Sequence, residues 1–251
     1  MRLELFYKPR LLCERLAKES LRRRRLSKLC NTPAWNLSIG HIDSLELLEI
    51  AKPLGIRSIY DVGANVGTWA LLAKALIPEA KVEAFEPLPK HHTDFQNNLR
   101  GISGVALHRI ALGSENTTAN LRITNSSDNS SMLPLAEASH AHFGLKEVAS
   151  VPTTVRKLDD YRRENDVLMP DLIKLDVQGY ELEVLKGANE CVRSTKSVIT
   201  EVSFIKYYQG QCLFHDLVGY FAHFGLFVAA FGINTPSASI VNQTDVLFLR
   251  R

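Results

Sequence analysis

Short apolar runs alternate with amphipathic stretches along most of the chain, beginning near residue 56. The mainly apolar runs that predict buried strands lie at residues 56–62, 81–85, 105–112, 171–177 and 197–202. Most of them are followed by a helical pattern, at residues 68–77, 89–99, 180–192 and 214–224. Near-continuous apolar strands that alternate with amphipathic helices favour a parallel sheet covered by helices on both faces.

The last part of the chain departs from this alternation. Apolar runs at 226–232 and 245–250 are joined by a polar loop that has no helical pattern. Because a parallel crossover usually needs a helix, this pair predicts an antiparallel hairpin at one edge of the sheet. The predicted fold class is therefore α/β, with a mostly parallel sheet and an antiparallel C-terminal hairpin.

The same pattern suggests a division of the chain. Residues 1–45 predict a basic helical N-terminal extension, and residues 46–251 predict one α/β domain. A chain of 251 residues is long enough to bury a large single core. Residues 114–168 interrupt the alternation, and we interpret them as an insertion on the substrate side, with a hairpin formed by 119–123 and 150–155 and a helix from Asp159.

Positive charge is concentrated near the N terminus. Residues 1–30 carry a net charge of +7, mainly from Arg22–Arg25, whereas the other 221 residues sum to −4. Such a run could bind anionic lipid at a membrane surface or the phosphates of a nucleic acid. The interspersed leucines also predict an amphipathic helix that packs on the domain and leaves its arginines in solvent, which is the interpretation that we favour.

Other features of the composition are typical of a cytoplasmic protein. The four cysteines form no CxxC pair and have no zinc-finger spacing, so we expect reduced thiols. The first ten residues lack the apolar core of a secretory signal. No apolar run approaches the roughly 18–20 residues of a membrane-spanning helix.

The first predicted strand ends in a loop of sequence DVGANVG, residues 61–67, which leads into a helix. Gly63 allows a turn without a Cβ clash, Asn65 tolerates a left-handed backbone, and Gly67 allows close approach of the helix. The loop brings backbone N–H groups to the carboxyl edge of the sheet, where open α/β sheets bind ligands. We expect Asp61 to face the same crevice.

A carboxylate follows the second predicted strand. Glu86 comes 25 residues after Asp61, at a distance where an acidic residue accepts hydrogen bonds from the hydroxyls of a ribose. A dinucleotide site has the pattern GxGxxG, whose second glycine admits the pyrophosphate. Because Asn65 occupies that position, the pattern favours S-adenosylmethionine, and an NAD-dependent oxidoreductase is the weaker alternative.

Several motifs, in this order along residues 55–250, resemble the FkbM-type S-adenosylmethionine-dependent methyltransferases. They are DVGANVG at 61–67, FEP at 85–87, KLDVQGYELEVLKGA at 174–188, TEVS at 200–203 and DVLFL at 245–249. The resemblance implies the Rossmann-like class I methyltransferase fold, whose seven-stranded sheet has an antiparallel last strand. It also implies methyl transfer to a hydroxyl of a sugar-containing or polyketide metabolite.

The resemblance implies roles for individual residues as well. Those implied for the methionine end of the cofactor are Asp61, Gly63, Asn65 and Gly67. Glu86 is implied to hold the ribose, Ser131 to lie in a serine-rich loop near the cofactor, and Asp176 to lie beside the reacting centre. Gln178 stands where the family commonly has an acidic residue, so we expect no charged role there.

A hydroxyl acceptor benefits from a general base or a metal ion, because its own pKa is high. Asp176, Glu181 and Glu201 are candidate bases at the carboxyl edge of the sheet. Asp176 and Glu201 follow neighbouring strands, so we expect them to converge, and Asp245 should lie at the same edge. Convergent oxygens of this kind could hold Mg²⁺, although nothing in the spacing requires it.

The histidines suggest one further base. His215 begins a helix after the fifth predicted strand, near the edge of the site, and we include it among the catalytic candidates with Asp176 and Glu201. His91 and His92 are expected on the surface.

O-methylation of a small-molecule or glycan acceptor is the leading hypothesis for function. A nucleic-acid methyltransferase that grips phosphates through Arg22–Arg25 is an alternative. However, residues 176–179 lack the Asn/Asp-Pro-Pro-aromatic motif of base methylation and the rest of the chain is not basic, so we expect no specific nucleic-acid partner. A non-catalytic binding protein with the cofactor fold is a third possibility, and the set Asp61, Glu86 and Asp176 argues against it.

Overall fold

A computed structural model of the chain describes residues 20, 23–38, 41–232 and 241–251. The strands are β1 (Ser58–Val62), β2 (Lys81–Phe85), β3 (Val105–His108), β4 (Ala111–Leu112), β5 (Thr117–Thr124), β6 (Glu147–Arg156), β7 (Leu172–Leu175), β8 (Ser197–Ser203), β9 (Leu226–Phe231) and β10 (Gln243–Arg250). The α-helices are α1 (Leu45–Ala51), α2 (Thr68–Leu76), α3 (Pro89–Asn98), α4 (Glu137–Phe143), α5 (Leu158–Glu164), α6 (Glu181–Lys186), α7 (Asn189–Ser194) and α8 (Phe214–Ala222). Residues 23–28 are also helical.

One large sheet has the strand order β3-β2-β1-β7-β8-β10-β9. Strands β3, β2, β1, β7 and β8 are parallel, and β10 is antiparallel to both β8 and β9. The predicted α/β fold, with seven strands and an antiparallel C-terminal hairpin, is confirmed. Residues 233–240, in the polar loop of that hairpin, lie outside the described residues.

Helices cover both faces of the large sheet, as the alternation of segments predicts. Ile59 and Leu172 face a buried cluster that includes side chains of α1, α2 and α3. Tyr60 and Phe248 face a second cluster that includes side chains of α6, α7 and α8. Because successive side chains of a strand point to opposite faces, each strand contributes to both cores.

The N-terminal segment, residues 23–38 and 41–45, belongs to the first of these cores. Leu29, Ala34 and Ile42 are fully buried in the same cluster as Ile59. Removal of their apolar surface from water stabilises this contact by roughly 25 cal/mol for each Å² buried. This part of the predicted extension therefore packs on the α/β domain, and the boundary after residue 45 stays a prediction.

Arg25 lies on the inner side of this segment rather than on a free basic surface. It is almost fully buried, and its Nη2 donates a hydrogen bond to Glu46 Oε2 at 3.0 Å. Arg23 and Arg24 are exposed, and Arg22 lies outside the described residues. Arg25 is therefore not available for the predicted membrane contact. Contact through the other arginines of this run stays a prediction. Within the described ranges, none of the helices has the length and apolar character needed to cross a bilayer.

Two predicted elements are each divided in two. The apolar run 105–112 becomes β3 and β4, which join different sheets. The helical pattern 180–192 becomes α6 and α7, which are separated at Gly187. A Cβ atom at Gly187 would lie 2.0 Å from the backbone oxygen of Gly113, so the chain after β4 packs directly against this break.

A second sheet, of strand order β4-β6-β5, joins β4 to two strands that lie within the predicted insertion at residues 114–168. β5 and β6 are antiparallel, which confirms the predicted hairpin, and α5 follows close to the predicted start at Asp159. After β5 the chain turns through Ser127–Asn129, and Ser131 then bridges back to Arg122. This return places residues 127–132 beside the carboxyl edge of the large sheet.

Candidate active site

A cavity of about 840 Å³ opens at the carboxyl ends of β1, β2, β7 and β8. This is the edge where open α/β sheets bind ligands, and the volume lies within the roughly 300–1,000 Å³ that is usual for small-molecule sites. The residues of its wall lie within the segments 41–44, 62–69, 85–91, 110–112, 127–132, 174–180 and 243–245, and at positions 121 and 201.

The registers of five neighbouring strands bring one position of each to the same level at this edge. In order across the sheet, these positions are Glu86 after β2, Gly63 after β1, Asp176 after β7, Glu201 in β8 and Asp245 in β10. Glu201 and Asp245 are direct partners in the antiparallel ladder, which places their side chains on one face. The first and last positions are four strand spacings apart, or about 19 Å.

The loop after β1 is held by backbone contacts to both neighbouring strands. The N–H groups of Gly63 and Ala64 both donate to the oxygen of Phe85, at 3.0 and 3.1 Å. A Cβ atom at Gly63, which has a φ of 82°, would lie 1.9 Å from the backbone oxygen of Asp176. Only glycine fits this crossing, because it combines a left-handed φ with contact to a second backbone.

Gly67 supports the loop from outside the cavity. It has a φ of 81°, and a Cβ atom there would lie 2.8 Å from the ring of Phe95 in α3. Asn65 has a φ of 50° and contributes to the cavity wall. Its Nδ2 donates to Asp128 Oδ1 at 3.1 Å. The structure thus places Asn65 in the predicted site and corrects Gly67, which packs α3 closely and does not contact the cavity.

Glu86 lies in the cavity wall in a fixed orientation. It is 5% exposed, its Oε2 accepts a hydrogen bond from the Asn65 N–H at 2.9 Å, and its Oε1 accepts one from the Leu88 N–H at 2.8 Å. A carboxylate oxygen can accept more than one hydrogen bond, so Glu86 can still accept hydroxyl donors from a ligand.

His91 and His92 are buried against Glu86, contrary to the surface position expected from the sequence. His92 Nε2 lies 2.8 Å from the backbone oxygen of Glu86, and His91 Nδ1 lies 3.3 Å from Glu86 Oε1. His91 is part of the cavity wall, and its Nε2 has no hydrogen-bond partner within the described part of the chain. Both histidines lie in the first turn of α3, shortly after the carboxyl end of β2, and this position in the sequence could have indicated that they lie near the cavity.

Asp61 lies beneath the cavity and does not line it, which corrects its predicted position. The residue is fully buried, and the backbone N–H of Ala70 and the ammonium of Lys174 both act on its carboxylate. Lys174 Nζ lies 3.9 Å from Asp61 Oδ1. Burial raises the pKa of Asp61 to about 6, and the nearby ammonium of Lys174 only partly opposes this effect.

Asp176 lies in the cavity wall with both carboxylate oxygens engaged. Its Oδ2 lies 3.1 Å from Lys174 Nζ, and its Oδ1 accepts a hydrogen bond from Gln178 Nε2 at 2.7 Å. Gln178 thus acts on Asp176 as a neutral hydrogen-bond donor, at the position where the resembled family commonly has an acidic residue. Ser131 Oγ donates to the backbone oxygen of Gln178 at 2.7 Å, so this buried serine holds the loop that carries Asp176.

Glu201 contributes the next carboxylate of the wall. Its Oε2 accepts a hydrogen bond from Gln243 Nε2 at 3.2 Å. Burial, together with the charges of Asp176 and Asp245, raises the pKa of Glu201 well above its usual range. A carboxylate with a raised pKa is a stronger base than an ordinary surface carboxylate once it has lost its proton.

Two catalytic candidates from the sequence lie outside the cavity. The side chain of His215 is 76% exposed at the start of α8, so the structure corrects its prediction as a base. Glu181 is buried behind the wall, where it accepts hydrogen bonds from the N–H groups of Val177 and Gly179. Burial raises the pKa of Glu181 to about 7, and its contacts shape the loop after β7.

The described residues provide no group of three or more His, Cys, Asp or Glu side chains placed to hold a metal ion. The nearest cation to Asp176 in the cavity wall is the ammonium of Lys174. Lys174 was not predicted as a site residue, because a single lysine within the apolar run 171–177 does not indicate that its side chain reaches the cavity.

Comparisons with known proteins agree with this geometry. The profile of the Methyltransferase FkbM domain family matches residues 61–227. The 2-O-methyltransferase NoeI of Sinorhizobium fredii is 27% identical over 186 residues, which cover 71% of this chain and 74% of that protein. The hexuronic acid methyltransferase AglP of Haloferax volcanii is 29% identical over 156 residues, which cover 62% of this chain and 59% of that protein.

Two further similarities extend the comparison. Methyltransferase 1 of Beauveria bassiana is 32% identical over 147 residues, which cover 53% of this chain and 58% of that protein, so the chain spans less than two thirds of its length. The crystal structure of magnesium protoporphyrin IX methyltransferase (ChlM) from Synechocystis aligns with 84% of this chain and 78% of that one, at a TM-score of 0.49 and 14% identity. The family profile matches more than half of the residues, and the chain therefore belongs to the FkbM methyltransferase domain family.

Proposed function

We propose that this protein transfers a methyl group from S-adenosylmethionine to a hydroxyl of a sugar-containing or other small acceptor. The observation that carries the proposal is a single cavity with two chemically different ends. Glu86 and the loop 63–66 form what we call the cofactor end, and Asp43, Ser44, Glu201 and Asp245 form the acceptor end. Asp176 lies between them in the strand register.

The residues of the cofactor end fit a nucleoside without a pyrophosphate. Glu86 is fixed with oxygens that can accept hydrogen bonds from a ribose diol, and the buried Nε2 of His91 lacks a partner within the described residues. The loop has Asn65 where a dinucleotide site needs a glycine. When bound, S-adenosylmethionine supplies a methyl group that is already activated by a positively charged sulfur.

The residues of the acceptor end fit the remaining chemistry. A hydroxyl becomes a better nucleophile when a base takes its proton, and Glu201 is a wall carboxylate with a raised pKa that lies next to Asp176 in the strand register. We assign Glu201 as the general base. Asp176, held in place by Lys174 and Gln178, positions the acceptor instead. The name of NoeI, a 2-O-methyltransferase, supports transfer to oxygen, and that of AglP, a hexuronic acid methyltransferase, supports a sugar acceptor.

Calorimetric titration with S-adenosylmethionine and with NADH tests the cofactor. We expect binding of S-adenosylmethionine that weakens at least about tenfold in Glu86→Gln, because a charge-assisted hydrogen bond contributes roughly 1.5–3 kcal/mol. Glu79→Gln removes an exposed carboxylate and serves as the matched control. Binding of NADH without a response to S-adenosylmethionine would contradict the proposal.

Transfer of a radiolabelled methyl group into fractionated cell metabolites tests the reaction. We expect the label in a hydroxylated small molecule, on oxygen, and the product's NMR spectrum identifies the methylated atom. Label in a nucleic acid, or on nitrogen or carbon, would contradict O-methylation even if the cofactor binds as expected.

A further inference from the structure

Asp176 and Gln178 lie in the short turn between β7 and α6, and this turn has an unusual backbone. Gln178 has a φ of 54° and Gly179 has a φ of 94°. A left-handed φ costs free energy in a residue other than glycine, so Gln178 keeps this conformation only because the contacts around it hold it there. Its side chain lies in the cavity wall, where Nε2 donates to Asp176 Oδ1 at 2.7 Å.

Two side chains from other parts of the chain hold Gln178. Ser131 Oγ donates to its backbone oxygen at 2.7 Å, and the hydroxyl of Tyr208 donates to its Oε1 at 3.1 Å. Ser131 lies in the cavity wall, but Tyr208 does not, and only 1% of Tyr208 is exposed. Any effect of Tyr208 on the reaction therefore passes through the residues that it holds.

Tyr208 itself has a fixed position. Its N–H and that of Tyr207 both donate to Gln211 Oε1, at 3.1 and 2.7 Å, and Gln211 Nε2 donates to Ser203 Oγ at 2.9 Å. A Cβ atom at Gly179 would lie 3.1 Å from the Tyr208 ring, so the turn after β7 packs closely against it. Ser203 ends β8, and these contacts therefore anchor Tyr208 to the strand that carries the proposed base.

The same hydrogen bonds define the direction of the Gln178 amide. Asp176 forms an ion pair with Lys174 at 3.1 Å, and a charged carboxylate only accepts hydrogen bonds. Gln178 must therefore present its Nε2 to Asp176, which leaves Oε1 to face Tyr208. Burial is the largest of the effects that raise the pKa of Tyr208, so its hydroxyl keeps its proton at neutral pH. The backbone oxygen of Asn129 also lies 3.0 Å from this hydroxyl, but donation to Oε1 is what satisfies both ends of the amide.

We infer, on the basis of the function proposed above, that Tyr208 is a positioning residue for methyl transfer. Its hydroxyl holds the amide of Gln178, and the amide holds Asp176 in the orientation in which that carboxylate meets the acceptor. Tyr208 thus acts on the acceptor through Gln178 and without contact of its own.

A double-mutant cycle tests whether Tyr208 acts through Gln178. The variants are Tyr208→Phe, Gln178→Ala and the protein with both substitutions, and the acceptor is the metabolite fraction that takes up radiolabel with the parent protein. We expect Tyr208→Phe to lower kcat/KM for this fraction about fivefold, the effect of one hydrogen bond. Gln178→Ala should lower it at least as much. The double variant should be no slower than Gln178→Ala, because without the amide the hydroxyl has nothing left to hold.

Tyr220→Phe is the matched control. The Tyr220 hydroxyl donates to the backbone oxygen of Leu185 at 2.8 Å and lies 3.2 Å from Asn189 Oδ1, but the residue is in α8 and does not line the cavity. This variant should keep the parent kcat/KM. NMR adds a readout that a loss of stability alone would not change. The side-chain amide signals of Gln178, assigned by their loss in Gln178→Ala, should shift in Tyr208→Phe and stay in place in Tyr220→Phe.

The outcomes separate this inference from the proposed function. Parent-like kcat/KM or unmoved amide signals in Tyr208→Phe, or losses that multiply in the double variant, would overturn the inference and leave methyl transfer intact. Weaker calorimetric binding of S-adenosylmethionine in Tyr208→Phe would place its effect at the cofactor end, and the inference would again be wrong. Absence of methyl transfer by the parent protein would overturn the proposed function, and this inference with it. Thermal unfolding checks each variant, and if Tyr208→Phe is unfolded, parent-like kcat/KM in Gln178→Ala would still overturn the inference.

Discussion

The two ends of the cavity are built in different ways. The cofactor end is formed by one continuous stretch, residues 61–91, in which backbone groups and one fixed carboxylate determine the geometry. The acceptor end is assembled from side chains of three distant segments, which carry Asp43, Glu201 and Asp245. The comparison shows that residues close in sequence supply most of the first end, with support from β7 where Gly63 crosses Asp176. The second end exists only after the sheet and the N-terminal segment have packed together.

Gly63→Ala tests the most rigid feature of the cofactor end. The new Cβ atom would lie 1.9 Å from a backbone oxygen in a residue with φ of 82°, so the strands must separate. We expect the free energy of unfolding to fall by about 3 kcal/mol or more, measured by urea denaturation. Gly210→Ala is the matched control, because Gly210 has φ of 79° and no heavy atom within 4 Å of the new Cβ. It should cost only about 1–2 kcal/mol, and an equal loss in both variants would contradict the steric argument.

Arg25→Ala tests how far the acceptor end depends on the N-terminal segment. The change leaves the carboxylates of Glu46 and Asp43 without their shared guanidinium, and we expect a loss of about 3 kcal/mol in the free energy of unfolding. Arg24→Ala, in an exposed neighbour, should stay within about 0.5 kcal/mol of the parent protein. If Arg25→Ala lowers the free energy of unfolding no more than Arg24→Ala does, the segment is held by its apolar contacts alone.

His91→Leu tests the part of the cofactor end that the sequence did not reveal. The variant replaces an imidazole of the cavity wall whose buried Nε2 has no partner within the described residues, and we expect the affinity for S-adenosylmethionine to fall about fivefold, close to the roughly 1 kcal/mol of one hydrogen bond. His215→Leu should leave both cofactor affinity and methyl transfer unchanged, because that side chain is exposed at the start of α8. Calorimetry on both variants makes the comparison, and a loss in His215→Leu would restore the histidine to the site.

The difference between the two ends also explains what could be predicted from the sequence. The alternation of strands and helices, the closing hairpin and Glu86 follow from local apolar patterns and from a motif whose spacing has a direct physical meaning. The role of Ser44 depends on its hydrogen bond to Asp245, about 200 positions away. The burial of Arg25 depends on its contacts with Ile42, Asp43 and Glu46, which no local apolar pattern reveals. The prediction for Asp61 had the correct strand end, but the residue lies beneath the cavity and not in its wall. The position of a residue along a strand does not distinguish these two locations.

The pH dependence of methyl transfer tests the acceptor end, and it gives the smallest effect that we expect. Glu201 acts as a base only after it loses its proton, so kcat should be low below its raised pKa and rise with pH through it. Asp245→Asn removes a like charge that faces Glu201 in the ladder, so it lowers the pKa of Glu201 and moves the rising limb to lower pH, by roughly half a unit. The measurement is a pH–rate profile at saturating concentrations of both substrates, with Glu79→Gln as the control whose limb should not move. A limb that stays in place or moves to higher pH in Asp245→Asn would show that Glu201 does not take the proton, since no removal of negative charge beside a carboxyl can raise its pKa.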